Sequence, residues 1–315
     1  MGLCESLGSD GARGGEESVN LHARGWKRFL FESAFWILVA FCFGLCALGL
    51  WLRWIPLLVI GLIGFGILIY GGFIEPRLVR VAQYSLGEGE KRLRLVFLSD
   101  FHAGVKKQRA FYQRIAERVS ALEPDLLMLG GDFVDECAED IGMLAPILDL
   151  RPPLGTRFVL GNHDFFDDPK KVIAQLVKAG ARDLTNQSVA FKLTDTESLE
   201  LVGLDDSLHG SPDLRLAEKP KQGMRVIVMH EPDLLLDLPE GCADLVLLGH
   251  THGGQIRLPI YGPLVGLPQV ISQTLDAGER SWKKMRVIIS RGIGEALVRA
   301  RLGVRPEIVV LDVKK

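Results

Sequence analysis

Excess charge of either sign is missing from this chain. Its 315 residues carry 37 Lys plus Arg against 39 Asp plus Glu, a formal net charge of -2, so electrostatics give no case for nucleic acid as the main partner. Disulfide patterning is missing too. The five cysteines are scattered, with Cys4 in a polar tail, Cys42 and Cys46 in an apolar run, and Cys137 and Cys242 isolated, which excludes a small disulfide-stapled scaffold. No small-residue cleavage site precedes the folded part, which argues against a cleaved signal peptide. What is present is enough length for a sizeable catalytic domain plus an appendage.

The appendage is apolar. Residues 34–52 hold no charged side chain and neither do residues 54–74, with Arg53 alone between them. Each run is near the roughly 20 residues that cross a bilayer as a helix. They predict a transmembrane helical hairpin turning around Arg53 and Pro56, with Trp26, Trp51, Trp54 and Tyr70 near the interfaces. Arg24, Lys27 and Arg28 precede the first run and Arg77 and Arg80 follow the second, so the positive-inside bias places both termini and the catalytic domain in the cytoplasm, at an inner membrane. Residues 1–18, rich in Gly, Ser and Glu, read as disordered. The match of residues 2–6 to an N-myristoylation pattern, with Cys4 a palmitoylation candidate, is read as coincidence, because a hairpin makes a lipid redundant. The expected organisation is a tail over 1–33, the hairpin over 34–74, a connector over 75–91 and a catalytic domain over 92–315.

Five motifs carry the chemistry: Asp100 and His102 in LSDFHAG, Asp132 in GGDFVDE, Asn162, His163 and Asp164 in GNHDF, His230 in VMHEPD, and His250 and His252 in GHTHGGQ. Each string alone recurs by chance. Together they offer carboxylate, imidazole and amide oxygen without thiolate, a set suited to Mn, Fe, Zn, Mg or Co. Asp100 and His102, two apart, project to one face if the strand before them continues. An ionised Asp132 has two oxygens and can bridge two ions. Gly249, Gly253 and Gly254 permit unusual backbone angles around His250 and His252. His163, needed as no ligand, can serve as the acid for a leaving oxygen, with Asp164 as its orienting neighbour.

The motifs recur at strand ends. Apolar runs predict strands at 93–98, 126–129, 158–160, 188–193, 199–204, 225–229, 245–248, 285–289 and 307–313, and helical spacing predicts helices at 108–122, 141–148 and 169–178. Their alternation argues for an α/β domain whose ligands gather beyond the carboxyl ends of the strands.

The order D-x-H, G-D-x-x-D, G-N-H-D, isolated His, G-H-T-H resembles the calcineurin-like metallophosphoesterase superfamily, from about residue 92 to 315. The resemblance implies two packed mixed β-sheets flanked by helices. It implies two divalent metal ions, one held by Asp100, His102, Asp132 and His252 and the other by Asn162, His230 and His250 with Asp132 bridging, and it makes His163 the catalytic histidine. Phe101, where a smaller aliphatic residue is usual, should point away from the metals. The apolar segment with IEPRLVR, GHTHGGQIRLP and SRGIGEALVRARLGVRPEIVVL looks like a membrane-associated bacterial subgroup similar to a UDP-2,3-diacylglucosamine pyrophosphatase of lipid A biosynthesis. That would put a nucleotide head in the cytoplasm and acyl chains in the inner leaflet.

Arg257, Arg291, Arg299, Arg301 and Arg305 gather near the last motif, and arginine suits bidentate phosphate recognition. Arg257, just past the metal histidines, is the expected substrate contact. The expected activity is hydrolysis of a phosphodiester or pyrophosphate bond by metal-activated water. The rivals are a nuclease or cyclic-nucleotide phosphodiesterase of the same superfamily, and a metal-binding scaffold without turnover.

Overall fold

The computed structural model describes residues 14–104, 107–221, 223–264, 275–296 and 298–315, with side chains from Ser33 onward. The chain divides into two compact units, one running to Ile74 and including Ala296–Ala300, the other formed by Glu75–Glu295 and Arg301–Lys315.

The first unit is a helical hairpin, α1 (Gly14–Trp51) and α2 (Ile55–Ile69). The described helix begins at Gly14, inside the stretch 1–18 read as disordered; the expectations for residues 1–13, the lipidation pattern included, lie outside the described residues. Arg53, at φ 51°, makes the turn, and Pro56 sits in the first turn of α2, where its missing N–H costs nothing. A Cβ on Gly61 would come within 2.6 Å of Cys46 Sγ, so glycine is what lets the helices touch. Phe43 and Phe65 meet across the pair with ring centroids 5.1 Å apart. The outer surface is apolar, with Trp36, Ile37, Phe41, Ile60 and Ile63 exposed. Ser33–Trp51 and Ile55–Arg77 are long and apolar enough to cross a membrane, and only 11% of each is buried, unlike a core helix of a globular domain.

The second unit is an α/β sandwich. Among the described residues one sheet contains β1 (Arg80–Leu86), β2 (Lys91–Leu98), β3 (Leu126–Gly130), β4 (Thr156–Val159) and β5 (Arg182–Asp183). The other contains β6 (Gln187–Lys192), β7 (Ser198–Gly203), β8 (Met224–Val228) and β9 (Leu245–Leu248). A short hairpin, β10 (Arg257–Leu258) and β11 (Gly262–Pro263), precedes β12 (Gly278–Trp282), β13 (Met285–Ile289) and β14 (Glu307–Lys314). The sheet orders are β1-β14-β2-β3-β4-β5 and β12-β13-β9-β8-β7-β6, both mixed.

The strand period of two sorts the side chains into layers. Leu95 and Phe97 turn inward and join Met128, Leu201, Val226, Val228 and Leu247 between the sheets. Val96 and Leu98 turn outward against α3 (Arg109–Ser120), whose Phe111, Ile115 and Val119 repeat at helical spacing. Each such side chain, fully buried, contributes about 1.5–3 kcal/mol. The outer face of the second sheet is covered likewise, Ile227, Val246 and Leu248 packing on Leu234, Leu235 and Leu238.

Two local features differ from the sequence reading. The helix expected over 141–148 is a 3-10 segment, Ala138–Leu144, followed by α4 (Ala145–Leu148). Pro146 accounts for the break, because a proline further into a continuous helix would clash with the carbonyl four residues back. The stretch read as a connector, 75–91, carries β1, which pairs in parallel with β14, Arg80 opposite Glu307. The helix α5 (Pro169–Lys178) starts as expected, capped by Asp168, whose side chain accepts the Lys170 N–H at 2.9 Å.

Candidate metal centre

Strand ends from both sheets deliver the motif residues to one place. Asp100 follows β2, Asp132 follows β3, Asn162 follows β4, His230 follows β8 and His250 follows β9. Apart from Asn162 and His230, the seven expected ligands stand in the left-handed region, Asp100 at φ 55°, His102 at 45°, Asp132 at 53°, His250 at 69° and His252 at 50°. Such backbone is costly for a residue with a Cβ and persists only where its surroundings impose it. It also corrects one expectation. Strand geometry stops at Leu98, so Asp100 and His102 converge through a turn and not by sharing a strand face. Glycine serves close approach here: a Cβ on Gly161 would sit 2.5 Å from Asp132 Oδ1, and one on Gly249 2.7 Å from Asp100 Oδ2.

The donor atoms form overlapping groups, Asp100 with His102 and His252, His102 with Asp132 and His163, and Asp132 with His230 and His250, each within 4.8 Å. His102 Nε2 lies 2.9 Å from His252 Nε2 and 3.4 Å from Asp132 Oδ2. His252 Nε2 is 3.6 Å from Asp100 Oδ1, and His230 Nε2 is 3.2 Å from Asp132 Oδ2. Asn162 Oδ1 stands 2.9 Å from His250 Nδ1.

These residues fit divalent metal. His230 Nδ1 donates to the Gly130 carbonyl at 2.7 Å, an outer contact that fixes the ring and leaves Nε2, buried and without a hydrogen-bond partner, facing Asp132. Imidazole nitrogen against imidazole nitrogen, with carboxylate oxygens around them, is a donor set that a cation satisfies. Charge is strongly redistributed. Burial pushes the Asp132 carboxyl up, but the imidazoles of His230, His163 and His102 outweigh it and hold it well below its ordinary value. Burial disfavours charged His230, yet Asp132 beside it drives it well above the usual histidine range. His252 goes the other way, well down, through burial and then the neighbouring His102 and Arg301.

His163 lies at the edge of the cluster, its ring centroid 4.5 Å from that of His102 and its side chain 19% exposed. Its Nδ1 donates to the Asp135 carbonyl at 3.1 Å, so Nε2 takes no part in that contact. Burial lowers its pKa to about 4, against the pull of Asp132. Asp164 is buried, and its carboxylate takes the backbone N–H groups of Gly161 and Asp132 at 2.9 Å and of Phe133 at 2.8 Å. Burial and then Asp132 push that carboxyl up to about 7, while the donated N–H groups oppose the rise. The contact expected of Asp164 with His163 is made by Asp135 instead, because a short loop turns Asp164 under the β3 and β4 ends. Asp135 Oδ1 is 3.9 Å from His163 Nδ1 and 3.6 Å from His102 Nδ1. Its signal was the second aspartate of GGDFVDE.

The arginines do not act as a group. Arg257 Nη1 pairs with Asp276 and lies 3.3 Å from the Gly253 carbonyl. Arg301 is fully buried, with Nη2 3.3 Å from His252 Nδ1, behind one of the expected ligands. Arg291 Nε is 3.8 Å from Glu307, and Arg305 is exposed. Phe101 is buried away from the donors, stacked on Phe133 at 5.5 Å.

A family profile described as Calcineurin-like phosphoesterase matches residues 93–254. The chain is 27% identical, over 80% of its length and 90% of the relative's, to the uncharacterized metallophosphoesterase YkuE of Bacillus subtilis. It is 29% identical to the phosphodiesterase YaeI of Escherichia coli, over 79% of this chain and 92% of that one. A Bos taurus transmembrane protein with metallophosphoesterase domain is 30% identical over 74% of this chain and 55% of its own length. The chain thus spans from about half to nine tenths of the curated relatives it matches.

Proposed function

The chain belongs to the calcineurin-like phosphoesterase family and is a metal-dependent hydrolase of phosphoric esters, and from that premise we propose a membrane-anchored, two-metal enzyme that cleaves a phosphodiester or pyrophosphate bond. The observation that carries this reading is the place of Asp132 in two donor groups at once, with His102 on one side and His230 on the other. Asp100, His102 and His252 would complete one ion's ligands, and Asn162, His230 and His250 the other's. Bound there, divalent ions would polarise a phosphoryl oxygen and make water a nucleophile at neutral pH.

The protein's own groups do the rest. Asp135 holds the His163 ring so that Nε2 meets the leaving oxygen, and the negative charge of a bound phosphate favours the imidazolium form that donates a proton there. Asp164 fixes the turn bearing Asp132. Arg257, on the loop after the metal histidines, contacts the substrate anion.

The two apolar helices, whose outer side chains are exposed, cross the inner membrane in this reading, and flanking basic residues keep the catalytic unit cytoplasmic. The relative named as a transmembrane protein supports membrane attachment. An anchored site suits a nucleotide-linked lipid such as UDP-2,3-diacylglucosamine. The test uses full-length protein in detergent with Mn. Hydrolysis of bis-p-nitrophenyl phosphate supports the phosphoesterase, and no turnover leaves a metal-binding scaffold. UMP released from UDP-2,3-diacylglucosamine, read by mass spectrometry, supports the lipid substrate; generic diester cleavage without UMP removes it.

A further inference from the structure

A row of rings leads out of the metal centre on the His163 side. The His163 and Phe166 centroids are 4.4 Å apart, and Phe166 and His209 follow at 5.9 Å, with Phe165 also 6.3 Å from His209. Exposure rises along the row: His102 is buried, His163 and Phe166 are half-buried, and His209 is exposed, as is Leu208 at 47%. Interplanar angles of 47° and 69° open the rings into a cradle.

An exposed histidine on a slack loop would mean little, but this loop is rigidly braced. Asp206, buried, accepts the backbone N–H groups of Leu208 at 3.0 Å and His209 at 2.5 Å. Asp205 accepts the Ser211 N–H at 2.9 Å. Glu231, the neighbour of His230, accepts the Ser207 N–H at 3.0 Å and also the Ser207 hydroxyl. The segment that presents His209 is therefore bolted to the strand end that carries a metal-site histidine. A loop fixed on a scaffold with its ring displayed to solvent is built to meet something.

We propose that Phe166 and His209 form a binding subsite for a planar aromatic ring on the phosphate substrate, a nucleobase being the biological form of such a ring. The assignment rests on the phosphoesterase reading and narrows its substrate to esters bearing a flat ring on the His163 side. Rings at these spacings and tilts take a further ring by stacking or edge-to-face contact. Stacking is available to every base, so the ring contact itself reads flatness and not base identity.

The test is calorimetric titration of the Mn-loaded, detergent-solubilised full chain with AMP and with ribose 5-phosphate, which share a phosphate and a sugar but not the ring. AMP should bind about tenfold more tightly or better, as expected for a stacked base. His209→Ala, at an exposed position, and Phe166→Leu, which keeps apolar packing, should each bring the ratio of the two affinities most of the way to one. Equal affinities in the wild type, or a ratio unchanged in both variants, overturn the subsite. Hydrolysis of bis-p-nitrophenyl phosphate is measured on the same sample. In the wild type, equal affinities with hydrolysis intact remove the cradle alone, whereas AMP preference without any hydrolysis sustains the cradle and removes the phosphoesterase reading.

Discussion

His102 and His252, 150 residues apart in sequence, face each other Nε2 to Nε2 at 2.9 Å in a buried pocket. Two lone pairs so placed repel unless a proton or a cation stands between them. His252→Ala should therefore lower metal affinity by at least the roughly 10–100-fold that even an outer-shell loss costs. Elemental analysis after dialysis reads this directly, and a metal content equal to wild type would remove the residue from the centre.

The same donor set predicts a thermal signature. Saturating Mn, at about 100 times its Kd, should stabilise the catalytic unit by about 2.7 kcal/mol, and a chelator should reverse the shift. A melting temperature indifferent to both would mean that the cluster binds no ion in the folded protein.

His163 and the ligands should separate kinetically. His163→Asn should keep its metal and lose about 10²–10⁴-fold in kcat, the usual worth of a proton donor. Asp135→Ala, which removes the carboxylate beside the ring but keeps the backbone carbonyl that accepts from Nδ1, should lose less. Near-wild-type turnover in His163→Asn would refute the acid role.

Asp164 is a brace for the backbone. Asp164→Ala would leave the buried N–H groups of Gly161, Asp132 and Phe133 without their acceptor, and each orphan costs about 1–3 kcal/mol. A denaturant midpoint should fall accordingly, with metal affinity falling beside it. An unchanged midpoint would show that the loop finds another acceptor.

For Arg257→Ala the expected effect is a raised KM for an anionic ester at unchanged metal content. Its pairing with Asp276 adds a comparison, since Asp276→Asn should release the guanidinium and move KM the opposite way. If neither variant moves KM, Arg257 is only a structural partner of Asp276.

The legible parts of this chain are those with strong patterning. Buried strands such as Leu245–Leu248 and Met285–Ile289 announce themselves by apolar runs, and the helix Pro169–Lys178 by its cap and proline. Strands at edges do not: Gly278–Trp282 reads GERSW and is largely open to solvent, so its pairing with β13 comes from tertiary context. The ligand types were visible because few residues bind metal, whereas the groups that position them, Asp135, Arg301 and Glu231, are charged residues of ordinary kinds. Their role depends on burial, which spacing does not encode. His209 stood outside every motif, and only folding sets it beside Phe166.

The parallel pairing of β1 with β14 has a consequence for biogenesis. Arg80 and Glu307 are joined across 227 residues, and β14 lies between β1 and β2 inside the first sheet. While the chain is being made, β1 and β2 emerge early with no strand to sit between them, and their open edges persist until the far segment arrives. Folding of so non-local a sheet is slow, and unpaired edges invite association with other chains. Yield in expression should therefore depend on temperature and chaperone supply more steeply than the mature protein's stability would imply.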